Sequence, residues 1–205
     1  MEYFMNPHNV KDIDVTNRLY FLNILTNRND GIVTKVWGIK RPHCDEFLNF
    51  LHSTEYVIIL DSIGTYDYVH AAESIVFKNT YRPDAILTRN DSVVINGSHQ
   101  KPLAKIIKSV PGLEKYVEAE LDDRGMVKGY KNMLIIDDRR SCFEQDPQNG
   151  ILIPAYEPHP DVQSMKRDDI RLLQIMEWLK RPDVQNSTDV RTLDKSNIFN
   201  TVKVN

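Results

Sequence analysis

The sequence is poor in cysteine, with only Cys44 and Cys142 among its 205 residues. Two cysteines so far apart exclude the disulfide framework that holds small secreted domains together. They are also too few for a four-cysteine zinc site. The sequence therefore indicates a reducing compartment.

A long apolar run and an excess of basic charge are also missing. The formal net charge is -3, and no basic patch interleaved with aromatic residues is present, so direct binding to nucleic acid is not expected. No run approaches the roughly 18 apolar residues that cross a membrane, and the opening MEYFMNPHNV lacks the apolar core of a signal peptide. We expect a soluble, intracellular protein, nuclear or cytoplasmic.

What the sequence does contain is an alternation of short apolar strands with helices. The first central strand is predicted at 19–25, and further buried strands at 56–60 and 132–137. Such an alternation favours a doubly wound α/β fold with a mostly parallel sheet. The predicted organisation is an N-terminal arm at 1–17, one domain at 18–181 with a charged insertion at 111–131, and a flexible, polar tail at 182–205.

Polar side chains follow several of these strands. Ser62 comes shortly after one strand, Lys101 precedes a helix, and Asp137 and Asp138 end the strand at 132–137. Ligands of open α/β sheets bind at the carboxyl ends of parallel strands. Adjacent carboxylates suit Mg²⁺, and a lysine can act as a point charge for phosphate.

Simpler interpretations of the same residues remain open. Asp138 can cap the next helix, with Arg139 and Arg140 neutralising both acids. Lys101 can be a solvated loop lysine. Acidic strand ends are common, so this feature alone favours the cap.

Five segments together resemble the catalytic domain of the RNA polymerase II C-terminal-domain phosphatases, the NLI-interacting-factor-like branch of the haloacid dehalogenase superfamily. The resemblance covers about residues 18 to 180 and implies a fold without a large cap domain. The segments, in chain order, are KRPHCDEFLNFL, EYVIILDSIGTYDYV, HQKPLAKI, KNMLIIDDRRSCF and DPQNGILIPAY.

The resemblance implies a Mg²⁺-dependent mechanism in which an aspartate attacks a phosphoserine or phosphothreonine and a second aspartate acts as the acid. By this similarity Lys101 and Ser62 contact phosphate, and Asp137 with Asp138 hold the metal. The segment LNILTN departs from the family pattern, because it puts Asn23 at the nucleophile position and Leu25 at the acid position. Leu60 stands where a hydroxyl is expected.

These replacements predict the loss of catalysis. An amide is too weak a nucleophile to replace a carboxylate, and leucine transfers no proton. Mg²⁺ binding is expected to be weak or lost. The hypothesis is a phosphatase-like pseudoenzyme that acts as a binding or assembly module, with a phosphopeptide, a transcription factor or an assembly factor as its protein partner.

The alternative is an active protein phosphatase that uses Asp12 and Asp14 of the DIDVT run. No apolar strand precedes Asp12, so both acids are expected before the first strand and far from Asp137. A simpler interpretation of DIDVT is a turn that leads into that strand.

Overall fold

The structure is a computed structural model and describes residues 10–27 and 31–199. Within these ranges helices and short strands alternate along the chain. The helices are α1 (Ile13–Arg18), α2 (Cys44–Ser53), α3 (Tyr66–Val76), α4 (Leu103–Ser109), α5 (Val162–Lys166), α6 (Arg171–Leu179) and α7 (Pro182–Gln185). None of them is long and apolar enough to cross a membrane.

The strands form five two-stranded pairs in the described part of the chain. They are β1 (Leu19–Asn27), β2 (Ile32–Ile39), β3 (Ile59–Asp61), β4 (Ala85–Leu87), β5 (Val93–Ile95), β6 (Ser98–Gln100), β7 (Ala119–Leu121), β8 (Val127–Tyr130), β9 (Ile135–Asp137) and β10 (Gly150–Leu152). Only β3 with β4 and β9 with β10 are parallel. The described residues therefore form a mixed α/β fold with small parallel pairs, and the doubly wound sheet stays a prediction.

The prediction that the first strand is a central strand of a parallel sheet was wrong. β1 pairs with β2 in antiparallel register from Leu19 opposite Ile39 onwards, and in the described residues it has no other partner strand. The four residues between the two strands can close a hairpin, whereas a parallel crossover needs a dozen or more. The alternation of buried Leu22 and Ile24 with exposed Asn23 also fits a strand with one solvated face.

Two apolar cores lie on the two faces of β9. Ile136 packs on the first core, which is built mainly from α6, with Ile175 as a member, and also includes Ile151 of β10. Ile135 belongs to the second core, together with Leu103 and Ile106 of α4. Residues next to each other in a strand point to opposite faces, so one short strand anchors both cores.

The N-terminal residues form a small cluster of their own. Val10 and Val15 pack with Met165 of α5. Arg18 donates to the carbonyl oxygens of Lys40 and Met165 and to the hydroxyl of Tyr156. The part of the predicted arm from residue 10 onwards is thus a short helix packed on α5.

The C-terminal segment differs from the predicted flexible tail over its described residues, 182–199. Val184 and Ile198 are buried in the first core, and the indole N–H of Trp178 donates to the carbonyl of Asp194 at 3.1 Å. Residues 200–205 of the predicted tail lie outside the described residues. Sparse apolar anchors, rather than a periodic pattern, hold this segment, which is why its sequence resembles a tail.

The predicted insertion at 111–131 contains the β7–β8 hairpin. Arg191 of the C-terminal segment bonds to Glu120 of β7 at 2.5 Å and to Asp189 at 2.6 Å. The backbone N–H of Val190 donates to the carbonyl of Lys131 at 2.7 Å. The charged insertion and the C-terminal segment therefore support each other.

Candidate functional site

The carboxyl ends of β3 and β9 meet at Lys101. Its ammonium donates to the carbonyl oxygen of Asp61 at 2.7 Å and to Oδ2 of Asp137 at 2.8 Å. The residue is only 7% exposed, and its own N–H donates to the carbonyl of Cys142, which fixes the backbone between β6 and α4. Lys101 is therefore a buried cation in the site, and the solvated loop lysine is excluded.

Both carboxylate oxygens of Asp137 have partners. Oδ2 accepts from Lys101, and Oδ1 accepts the backbone N–H of Arg139 at 2.8 Å. Asp138 is exposed. It does not cap the following 3₁₀ turn, because Arg139 occupies the cap position without a side-chain bond. The structure thus brings Lys101 and Asp137 together and leaves Asp138 at the surface.

Asp61 also belongs to this site, although the sequence motifs did not indicate it. Burial raises the pKa of Asp61 to about 6, and the neighbouring Asp137 and Asp91 carboxylates add to the rise, while the Lys101 ammonium opposes it. Its position at the end of an apolar strand was the available signal. The site therefore combines a second acid with Asp137 around one ammonium.

The thiol of Cys142 lies beside this group. Burial first, and then the negative charge of Asp137, raises the pKa of Cys142 to about 11, although Lys101 acts in the opposite direction. A thiol with so high a pKa is not a nucleophile at neutral pH. Cys142 is a packing residue of the second core.

Ser62 and Leu60 lie on the side of β3 that faces α3. The hydroxyl of Ser62 accepts the N–H of Gly64 at 3.1 Å. Both residues line an apolar cavity of about 100 Å³ under α3, together with Tyr68 and Val69. The structure gives no bond between Ser62 and Lys101.

The predicted nucleophile and acid positions lie in the β1–β2 hairpin. Asn23 is exposed and stands opposite Lys35, and Leu25 stands opposite Val33. No described contact joins Asn23 to Asp137. The assignment of these two residues to the reactive positions stays a prediction.

Asp12 and Asp14 lie at the start of α1. Asp12 caps this helix by accepting the N–H of Val15 at 3.1 Å, and it pairs with Lys166 at 2.8 Å. The bond from Lys166 is the main cause that lowers the pKa of Asp12, and the backbone bond from Val15 adds to it. Asp14 is exposed. Asp12 therefore has a structural role at the contact of α1 with α5.

The described residues show no cluster of three side chains that could hold a metal ion. Within residues 10–27 and 31–199, no three His, Cys, Asp or Glu side chains are grouped to hold a metal ion. Oδ2 of Asp137 already bonds to Lys101. Of the two acids that the resemblance implies, Asp137 therefore pairs with Lys101 and Asp138 lies at the surface, and weak Mg²⁺ binding stays a prediction.

Comparisons with known proteins agree on the family. The model of the NLI interacting factor-like phosphatase family matches residues 7–191. A variant of the fission yeast RNA polymerase II CTD phosphatase Fcp1 bound to beryllium fluoride is 20% identical, with a TM-score of 0.50 over 87% of this chain and 46% of that chain. A second structure of Fcp1, described as an essential RNA polymerase II CTD phosphatase, is 18% identical, with a TM-score of 0.51 over 95% of this chain and 53% of that chain.

These similarities support the fold and the family resemblance together. The chain spans about half the length of the solved structures that it matches, and no curated protein matches it significantly. The family match extends over most of the chain, including β3, Lys101 and β9. The chain belongs to the NLI interacting factor-like phosphatase family.

Proposed function

We propose that this chain is a phosphatase-like module without hydrolytic activity and that it acts by binding a protein partner. The observation that carries this proposal is the closed ion pair of Lys101 with Asp137, in which both carboxylate oxygens are already bonded. A hydrolytic site of this class needs a free carboxylate nucleophile and a second acid. Among the described residues, no hydrogen bond or ion pair joins the candidates for those roles, Asn23 and Asp12, to Lys101 or Asp137.

The residues that remain suit binding better than chemistry. Two of the three N–H groups of Lys101 are used by Asp61 and Asp137, which leaves one for a phosphate oxygen. Ser62 would be the second phosphate ligand. The carboxylates of Asp61 and Asp137 oppose an anion, so we expect phosphate to add little affinity and the protein segment around it to supply most of it.

The matched Fcp1 structures are those of an RNA polymerase II CTD phosphatase. By analogy we propose a phosphorylated protein segment, a transcription factor or an assembly factor as the partner of this chain. A protein partner agrees with the sequence, which has neither a basic excess for nucleic acid nor an apolar run for a membrane.

Hydrolysis of a phosphoserine peptide in the presence of Mg²⁺ tests the proposal. The purified chain and its Asp137→Asn variant should release phosphate at the same background rate. Release by the parent chain that Asp137→Asn abolishes would show an active phosphatase and overturn the proposal. An unfolding curve for each protein controls for loss of structure.

A further inference from the structure

His43 stands directly before α2, and its imidazole lies between two carboxylates. Nδ1 is 3.3 Å from Oε2 of Glu46 in the first turn of α2. Nε2 is 3.2 Å from Oδ1 of Asp168, which lies 125 residues further along the chain in the loop between α5 and α6, residues 167–170. One imidazole therefore joins the start of α2 to the α5–α6 loop.

The backbone of His43 is unusual for a residue with a side chain. It is left-handed, with φ 62° and ψ 15°, and the side chain makes no cap bond to the helix. Residues other than glycine are uncommon in this region, and histidine and asparagine are among the types that tolerate it best. An uncommon backbone at a residue whose two ring nitrogens both face carboxylates points to a role beyond packing.

The two carboxylates depend on this ring for their ion pairs. Among the described residues, the ion pairs of Glu46 and Asp168 are those with His43, and all three side chains are partly exposed. The other charged groups of the surrounding segments have partners of their own or are exposed: Lys40 pairs with Asp45, Arg41 with Asp169, Arg171 bonds to Gln174, and Arg167 is exposed.

The two contacts can coexist only on a charged ring. A neutral imidazole has one N–H and one acceptor nitrogen, whereas an imidazolium has two N–H groups. Because an ionised carboxylate only accepts hydrogen bonds, the neutral ring can donate to Glu46 or to Asp168 and must turn its lone pair towards the other. The dipole of α2 opposes a cation at this end of the helix, but the two carboxylates carry full charges at hydrogen-bond distance. The arrangement with both contacts therefore belongs to the protonated ring.

Loss of the proton removes one contact, and position along the chain decides which. Glu46 lies on the same helix only three residues from His43, so little chain has to be ordered to keep that contact. Asp168 is exposed on a loop of another segment, and holding it in place costs more conformational entropy. The neutral ring should therefore keep Glu46 and release Asp168.

We propose that His43 is a pH-sensitive switch, which holds the α5–α6 loop on the start of α2 when its imidazole is protonated and releases the loop when the imidazole is neutral. Histidine is the side chain whose ordinary titration falls between pH 5 and 8. The stabilisation from the Asp168 contact is therefore present at pH 5.5 and is lost as the ring gives up its proton towards pH 8. The inference goes beyond the proposed function, because it holds whether or not the chain hydrolyses phosphate.

Contacts that do not titrate in this range limit what the switch moves. Arg41 pairs with Asp169 in the same loop at 2.9 Å, and Lys166 of α5 pairs with Asp12 at 2.8 Å. Arginine, lysine and aspartate ordinarily keep their charges between pH 5.5 and 8. Loss of the Asp168 contact should therefore free the loop around that residue while α5 stays on α1.

A double-mutant cycle in urea unfolding of the full chain tests the switch. His43→Asn removes the titrating ring and keeps a residue that tolerates the left-handed backbone, and Asp168→Asn removes the carboxylate. At pH 5.5 the coupling between the two changes should alter the unfolding equilibrium constant about two- to fivefold, as expected of a partly exposed ion pair. At pH 8 the coupling should vanish, and the pH of its loss should match the pH at which the C–H signals of the His43 ring titrate in NMR spectra.

Glu46→Gln adds a result that a merely structural contact would not produce. The glutamine amide can donate to Nδ1 of the neutral ring, which leaves the N–H of the ring for Asp168. In this background the coupling of His43 with Asp168 should persist at pH 8. His43→Gln replaces His43→Asn in the cycle if His43→Asn fails to fold.

His52→Asn is the matched control. His52 lies in the last turn of the same helix and stacks on Tyr81, with ring centroids 3.4 Å apart. The coupling of His52→Asn with Asp168→Asn should be absent at both pH values.

Four results would overturn the proposal. One is the absence of coupling between His43 and Asp168 at pH 5.5, and another is coupling of equal size at pH 5.5 and pH 8. The third is a coupling that is still lost at pH 8 in the Glu46→Gln background. The last is the same pH-dependent coupling for His52, because the effect would then not come from the contact of His43 with Asp168.

Discussion

Lys101 and Asp137 form an ion pair at 2.8 Å in which the two side chains are only 8% and 12% exposed. The pair joins the loop before α4 to the end of β9 and, through the Asp61 carbonyl, to the end of β3. Charges buried to this degree are tolerated only when they are paired.

Replacing Lys101 with methionine should therefore destabilise the fold. The Asp137 carboxylate would be left buried without its cation, and we expect the free energy of unfolding in urea to fall by about 3 to 5 kcal/mol. Adding Asp137→Asn to Lys101→Met should restore part of the loss. The control is Lys128→Met, which removes a half-exposed ion pair with Glu120 and should cost no more than about 1 kcal/mol. Equal losses for the two lysines would contradict the prediction.

Asp61 should make the protein less stable as the pH rises. Its pKa is raised to about 6 in the folded chain from an ordinary value of 3.8, so the folded state binds the proton more tightly than the unfolded state. The protonated carboxyl of Asp61 therefore contributes its full stabilisation below about pH 4, and this stabilisation is lost as the pH rises through about 6.

Asp61→Asn should remove the loss of stability that the parent chain shows as the pH rises. Relative to the parent chain, the variant should gain roughly 2 to 3 kcal/mol of unfolding free energy at pH 7 and little at pH 4. Urea unfolding at the two pH values measures the difference. Asp14→Asn, at an exposed position of α1, is the control for the chemical change itself. A constant difference between Asp61→Asn and the parent chain would refute this role of Asp61.

The site could be predicted from the sequence where local pattern decides the structure. Asp137 and Lys101 were both selected from the sequence, and their side chains bond to each other, while their roles stay predictions. β1 was misassigned because an apolar run alone does not distinguish a central strand from a hairpin strand. The four residues between the two strands, too few for a parallel crossover, were the stronger signal.

The C-terminal segment could not be predicted by local reasoning. Its burial depends on Arg191, whose partner Glu120 lies 71 residues earlier in the chain. The raised pKa of Asp61 could not be predicted locally either, because it comes from burial and from acids on other segments. Such pairs have no periodic signature, so only the folded arrangement reveals them.

Arg191→Ala should release the C-terminal segment from the β7–β8 hairpin. The guanidinium is 13% exposed and bonds to Glu120 and Asp189, and its loss should cost about 1 to 3 kcal/mol. Limited proteolysis should then cut between 187 and 195 faster than in the parent chain. The control is Arg181→Ala, which removes an exposed pair with Asp183 and should leave the cleavage rate unchanged. Equally fast cleavage in both variants would contradict the role of Arg191 in holding the C-terminal segment on the β7–β8 hairpin.

Gly150→Ala should disturb the contact of β10 with the second core. A Cβ at this position would overlap the ring of Phe143, which is 2% exposed, and we expect a loss of about 1 to 3 kcal/mol in thermal or urea unfolding. The backbone of Gly150 is extended, so the cost is steric rather than conformational. Combining Gly150→Ala with Phe143→Leu should cost less than the sum of the two single changes, and strict additivity would argue against the overlap.

The hydrogen bond from Trp178 to Asp194 gives the protein a built-in optical reporter. The chain contains two tryptophans: Trp178 is buried in the first core against the C-terminal segment, and Trp37 packs on the small cluster of Val10, Val15 and Met165. Each indole therefore senses one end of the described chain. Their fluorescence, followed separately in Trp37→Phe and Trp178→Phe variants, distinguishes one cooperative unfolding event from the independent loss of either end.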